Sequence, residues 1–294
     1  MNKYILAGGC SYTGGGGMNN TTLFDLEFPH TNSNMFKKYY EQISWNSSDF
    51  KDLIKPYLWP SILAELFNYT GSYNVASGGK GIYTSINSIY HFIFNWQKQG
   101  KDVSELEVWY QIPSQNRIEV YINDVDKHQC ILTELDDTND NKKSFITNFF
   151  DEDYNLLSAI HEVYKLKKYC DALGINIYII PWDNTTFQKT GTDYLKLKKR
   201  ILDYKNDSNK PQFSKFWTNI TEVLHFDSDL MLDELKCIYI NDDSVNNHLE
   251  HTFDGFYFQS KYPTITNDRH MTCIGHSEFA KTLQKIIKKD LENS

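Results

Sequence analysis

Apolar runs alternate with helical periodicity along most of the chain. Residues 3–8, centred on Tyr4-Ile5-Leu6-Ala7, read as a buried strand that ends in glycine. Tyr73 to Ala76 gives a short second strand, and Leu106 to Ile112 a third, closed by Pro113-Ser114. Ile175 to Pro181 is continuously apolar, as a strand covered on both faces should be. Between these runs the period changes to that of a helix. A first helix is expected at about 58–68, with Pro60 tolerated in its opening turn and Ile62, Leu63, Leu66 and Phe67 inward. Ile82, Ile86, Ile89, Ile93 and Trp96 mark a second. Leu156, Ile160, Val163, Leu166, Cys170 and Leu173 share one face of a third, for which Gly174 is the C-cap. The last helix, about 275 to 291, turns Phe279, Leu283, Ile286, Ile287 and Leu291 inward. Strands alternating with helices predict an α/β fold: a three-layer α/β/α sandwich on a parallel, doubly wound, flavodoxin-like sheet.

The pattern fails in three places. Residues 18–56 are polar and rich in Asn and Ser, and read as a long surface excursion. Residues 116–150 are mixed and charged, and no element is assigned there. Between 183 and 262, Asn, Asp, Lys and aromatics leave only short helical pieces, at 213–225 and 229–238. That stretch is an insertion or a cap that shapes a cleft. The reading is of one domain over 1–294, with polar insertions at about 18–56 and 183–262 and no internal repeat. In doubly wound sheets ligands bind outside the carboxyl ends of the strands. The exits here are Gly9-Cys10-Ser11, Ser77-Gly78-Gly79 and Pro113-Ser114, all small or polar, and they are expected to converge on one edge.

Charge narrows the range of partners. With 30 Lys and Arg against 38 Asp and Glu the net charge is −8, and the only arginines are Arg117, Arg200 and Arg269. Tracking a phosphate backbone needs clustered cations, so nucleic acid is excluded as a partner. The one basic run, Lys196 to Arg200, reads as a solvated helix face. The five cysteines, at 10, 130, 170, 237 and 273, are odd in number and widely spaced, which indicates neither a zinc site nor a disulfide framework. The four apolar residues near the start are too few for a signal-peptide core, and Ala7-Gly8-Gly9-Cys10 lacks the apolar segment of a lipoprotein signal. No run approaches the ~20 apolar residues of a membrane span. No membrane contact is expected, and the default compartment is the cytoplasm unless a partner or a virion carries the chain elsewhere.

Three motifs then stand out together. Gly9-Cys10-Ser11-Tyr12-Thr13 follows the first strand, Asn74 precedes Gly79 by five positions after the second, and Asp268-Arg269-His270 with Gly275-His276 leads into the last helix. The set resembles the SGNH/GDSL hydrolases, with a Cys variant of the first block. Three of the four family blocks occur, in order, over almost the whole chain. The resemblance implies an acyl or acetyl ester as substrate, with carbohydrate esters the family-weighted class, and no metal or organic cofactor. It implies Ser11 as nucleophile, His270 as the base that takes its proton, and Asp268 as the acid that holds the imidazole. It implies an oxyanion hole made by the backbone N–H groups of Ser11 and Gly79. The family's third block, Gly-x-Asn-Asp, is absent, so its side-chain donor falls to Asn116, with Ser114 and Gln111 as alternatives. The acid stands two positions before the histidine, and Asn267 occupies the usual place at three.

Other residues carry candidate chemistry beside these. Arg117, Arg269 and Lys80 are candidate substrate-binding cations next to the site segments, and each also reads as an ion-pair or surface residue. Cys10 is a rival nucleophile, expected to lie buried behind Ser11. The glycine run lacks the spacing of a phosphate loop. His248, Glu250, His251 and Asp254 lack the spacing of a His-Glu-x-x-His metal set. Two rival functions keep the same fold: a carbohydrate-binding or structural module without turnover, and an O-acyltransferase. Oligomeric state is not legible.

Overall fold

The first strand, β1 (Tyr4–Gly8), lies inside a four-stranded sheet in which every neighbouring pair is parallel. The computed structural model describes residues 2–14, 54–113, 117–122, 127–132, 152–181, 187–206, 228–239 and 273–292. After β1 comes a single helical turn, α1 (Ser11–Gly14), and then α2 (Trp59–Leu66), β2 (Gly71–Asn74), α3 (Ile82–Lys98) and β3 (Leu106–Gln111). A hairpin of β4 (Arg117–Ile122) and β5 (Lys127–Leu132) follows. The remaining elements are α4 (Glu152–Ala172), β6 (Asn176–Ile180), α5 (Thr192–Asn206), α6 (Ser228–Leu235) and α7 (Cys273–Glu292).

Strand order in the sheet is β2-β1-β3-β6. The chain therefore moves from β1 to one side for β2 and crosses back to the other for β3 and β6. The reversal falls between β1 and β3, paired from Tyr4 opposite Leu106 to Gly8 opposite Tyr110.

Side-chain alternation along the strands separates two cores. Leu6, Leu106, Val108, Tyr110 and Ile179 pack with α3 and α4, while Ile5, Ala7, Trp109 and Ile180 pack with α2 and α7. Period two in the strands puts successive residues on opposite faces, and a sheet apolar on both must carry helices on both. Gly8 marks how closely β1 meets α3: a Cβ there would stand 2.5 Å from Ile89 Cδ1. On the other face Trp59, Trp109 and Phe279 meet edge to face.

The parallel α/β architecture expected from periodicity is present. The second strand begins two residues earlier than expected, at Gly71, and ends at Asn74. The helix expected at 229–238 spans Ser228–Leu235 and is ended by Lys236, at φ 46°. Ile238 then donates its N–H to the Ile179 carbonyl beside β6. The hairpin of β4 and β5 lies within the mixed, charged stretch 116–150, where periodicity predicts no element. Of the 183–262 stretch, the described parts join the helical layer: Phe187, Tyr194, Leu197, Leu232 and Leu235 are buried in the α3/α4 core. The Lys196–Arg200 run lies on α5, with Lys196, Lys199 and Arg200 exposed. The helix expected at 213–225 and the excursion at 18–53 lie outside the described residues.

Candidate functional site

At the carboxyl end of β1 the chain makes a sharp exit. Gly9 adopts φ +150°, and a Cβ there would stand 2.6 Å from Thr13 Oγ1 and 2.9 Å from the Gln111 carbonyl oxygen. Only glycine fits such a conformation and such an approach. Cys10 is fully buried, and its carbonyl accepts the Gly14 N–H at 2.9 Å, closing α1 as one turn. Ser11 is the first residue of that turn; its side chain and that of Tyr12 lie outside the described residues. The thiol at position 10 is thus enclosed, as expected, and the serine follows it at the strand exit.

Thr13 fastens this turn to the strands on either side. Its hydroxyl donates to Gln111 Oε1, at the end of β3, at 2.5 Å. Its carbonyl accepts from Asn74 Nδ2, at the end of β2, at 2.7 Å. Asn74 Oδ1 in turn accepts the Ala76 N–H at 3.0 Å, and Val75 donates its N–H to Ala7. One asparagine therefore sets both the serine turn and the start of the glycine loop after β2. In that loop Gly79 has φ +74°, and among the described residues nothing lies within 4 Å of where a Cβ would be.

Lys80, one of the candidate substrate-binding cations, makes two hydrogen bonds within the chain. Its ammonium turns back to Ser88 Oγ at 2.7 Å and the Val75 carbonyl at 3.3 Å, bracing the loop against α3. Arg117 donates from Nη1 to the Lys80 carbonyl at 2.9 Å. Two residues on, Glu119 accepts the N–H of Gly81 at 3.0 Å and of Thr84 at 2.9 Å. A carboxylate at a helix N-terminus satisfies orphan donors and opposes the positive end of the dipole. The hairpin is thereby pinned to the start of α3, through Gly81 and Thr84. In this arrangement Lys80 and Arg117 hold backbone.

The last helix brings the end of the chain to the same edge. His276, fully buried, accepts the Trp59 N–H on Nδ1 at 3.3 Å, so the first turn of α7 sits beside the first turn of α2. Eight residues on, Gln284 donates to the Leu66 carbonyl at the end of α2. The two helices run parallel. Because α2 leads into β2, and β2 is parallel to β1, both helices begin at the carboxyl edge of the sheet. The chain enters α7 at the edge where Ser11 lies. His276 was noted in sequence only as half of a Gly-His pair; its role as acceptor for α2 has no sequence signal.

Asp268, Arg269, His270, Asn116 and Ser114 lie outside the described residues, as do His248, Glu250, His251 and Asp254. Among the described residues no group of three His, Cys, Asp or Glu side chains is placed to hold a metal ion, and no helix is long and apolar enough to cross a membrane. The thiols of Cys10, Cys170 and Cys237 are free.

Fold and edge together define a parallel α/β protein whose strand order reverses between β1 and β3, where the turn at Ser11 begins. Neither protein-family models, nor curated proteins, nor solved structures give a significant match to the chain.

Proposed function

We propose that this chain is a serine hydrolase of the SGNH/GDSL type, acting on an acyl or acetyl ester through an acyl-Ser11 intermediate. The observation that carries the reading is the position of Ser11: first residue of a one-turn helix, at the switch point of a parallel sheet, held there by Thr13 between Asn74 and Gln111. Ligands of open α/β sheets bind at this point. The start of α7 at the same edge supports the pairing of Ser11 with His270 and Asp268.

In the proposed reaction Ser11 Oγ attacks the ester carbonyl carbon while His270 takes the hydroxyl proton. The carbonyl π pair moves onto oxygen, which is bound by the N–H groups of Ser11 and Gly79. The pair returns as the C–O bond to the alcohol breaks, and His270 passes its proton to the departing alkoxide. Water then repeats the sequence on the acyl-enzyme and releases the acid. Asp268 holds the imidazole and stabilises its charged form throughout. Short acyl esters, including acetylated sugars, are the proposed substrates.

Hydrolysis of p-nitrophenyl acetate by wild type, Ser11→Ala and His270→Ala tests this. Turnover by wild type, and loss of about 10³-fold or more in each variant, is the expected result. Equal rates in all three would assign the hydrolysis to something other than Ser11.

A further inference from the structure

Gln111 occupies the other side of the switch point from Ser11. Along β3, Leu106, Val108 and Tyr110 face α3 and α4, so Glu107, Trp109 and Gln111 face α2 and α7. That is the face over which the chain enters α7. The Gln111 side chain is fully buried, and the two ends of its amide differ. Oε1 accepts the Thr13 hydroxyl, which fixes the orientation of the amide plane. Nε2 is buried and has no hydrogen-bond partner among the described residues. Buried donors are almost always satisfied, and one left over calls for a reason. The backbone here also abuts the serine turn, since the Gln111 carbonyl oxygen blocks any Cβ on Gly9.

We propose that Gln111 is a catalytic residue whose Nε2 donates to the carbonyl oxygen of a bound ester, with Thr13 as the positioning residue that selects which end of the amide faces it. The inference rests on the acyl-Ser11 reading and assigns its side-chain oxyanion donor. A neutral amide suits the role: it binds an ester oxygen in the ground state and binds it more strongly once that oxygen carries negative charge. Among the described residues the N–H2 group has no acceptor, and the proposal gives it the substrate's carbonyl oxygen.

The test compares Gln111→Met, Thr13→Val and Thr13→Ser by the rate at which a fluorophosphonate modifies Ser11, read by intact mass, beside each variant's thermal midpoint. Met keeps the length of Gln and lacks the N–H donor. Gln111→Met is expected to slow modification about 100- to 1,000-fold, the loss typical of one oxyanion donor. Its thermal midpoint should be no lower than that of Thr13→Val, which loses the same Thr13–Gln111 bond but keeps the amide. Thr13→Ser should stay within about threefold of wild type. Thr13→Val, whose amide is free to turn, should slow modification less than Gln111→Met does; a Gln111→Met rate within about threefold of wild type overturns the assignment. If Gln111→Met does not fold, Gln111→Asn withdraws the amide by one methylene; slow modification is again expected, and an unchanged rate overturns it. A wild type that forms no adduct overturns the serine reading and this inference with it. A modified wild type beside an equally modified Gln111→Met overturns this inference alone.

Discussion

Gly9 and Gly79 are both left-handed glycines at the proposed site, yet they do different things. At Gly9 a side chain would strike Thr13 Oγ1 and the Gln111 carbonyl, whereas at Gly79 it would meet none of the described residues within 4 Å. Gly9→Ala should therefore cost about 1–3 kcal/mol in backbone strain and about 1–3 kcal/mol more from the collision. Gly79→Ala should cost only the strain, about 1–2 kcal/mol, and keeps the N–H it is proposed to offer. Urea unfolding gives the order directly, and equal losses for the two would contradict the crowding at Gly9. The need for glycine at position 9 was legible as part of a strand-exit motif. That Thr13 is the joint between Asn74 and Gln111 was not, because its partners lie 61 and 98 residues away in the chain. The contacts of Lys80 were hidden for the same reason: proximity in sequence to a site does not say which way a long side chain turns.

Among the elements, the hairpin of β4 and β5 gives the start of α3 its cap. Gly81 at the N-cap has no side chain to offer, and Glu119 reaches across from β4 instead. Glu119→Ala should cost about 0.5–2 kcal/mol, the range for a lost N-cap. Because the same carboxylate docks the hairpin, amide hydrogens of Arg117–Ile122 should exchange faster in the variant while those of α4 stay unchanged. Unaltered exchange in β4 would mean that the hairpin is held by something else. The hairpin's signal was present in Ile118, Val120 and Ile122, an alternation of period two, but flanking charges hid it and no element was assigned. The strands β1, β3 and β6 and the long helices were easier, since each carries four or more apolar residues in one clear period. The helices α5 and α6 were harder to place: their few inward residues, Tyr194, Leu197, Leu232 and Leu235, make sense only against the α3/α4 core.

Across the whole molecule the two edges of the sheet differ in chemistry. The carboxyl edge gathers the turn at Ser11, the Gly79 loop, Gln111 and the start of α7. Towards the other edge, Glu107 is buried between Trp109 Nε1 at 2.8 Å and Tyr69 Oη at 3.1 Å. Burial pushes its carboxyl above the ordinary 4.5, and the two donors, with the Lys3 charge, offset part of that rise. A folded-state value above the unfolded one means that the folded protein binds this proton more tightly. The contribution of Glu107 is then fully present below pH 4.5 and is lost as pH rises through the raised folded value. The stability difference between wild type and Glu107→Gln, followed by urea midpoint, should move against wild type over that rise; a flat difference would show that Glu107 ionises normally. At the carboxyl edge, fluorophosphonate modification of wild type, Ser11→Ala and His270→Ala, read by intact mass, decides whether Ser11 is an activated nucleophile. One adduct on wild type, absent from both variants, is the predicted result. No adduct on folded wild type, or one that persists in Ser11→Ala, would contradict an activated serine at the switch point.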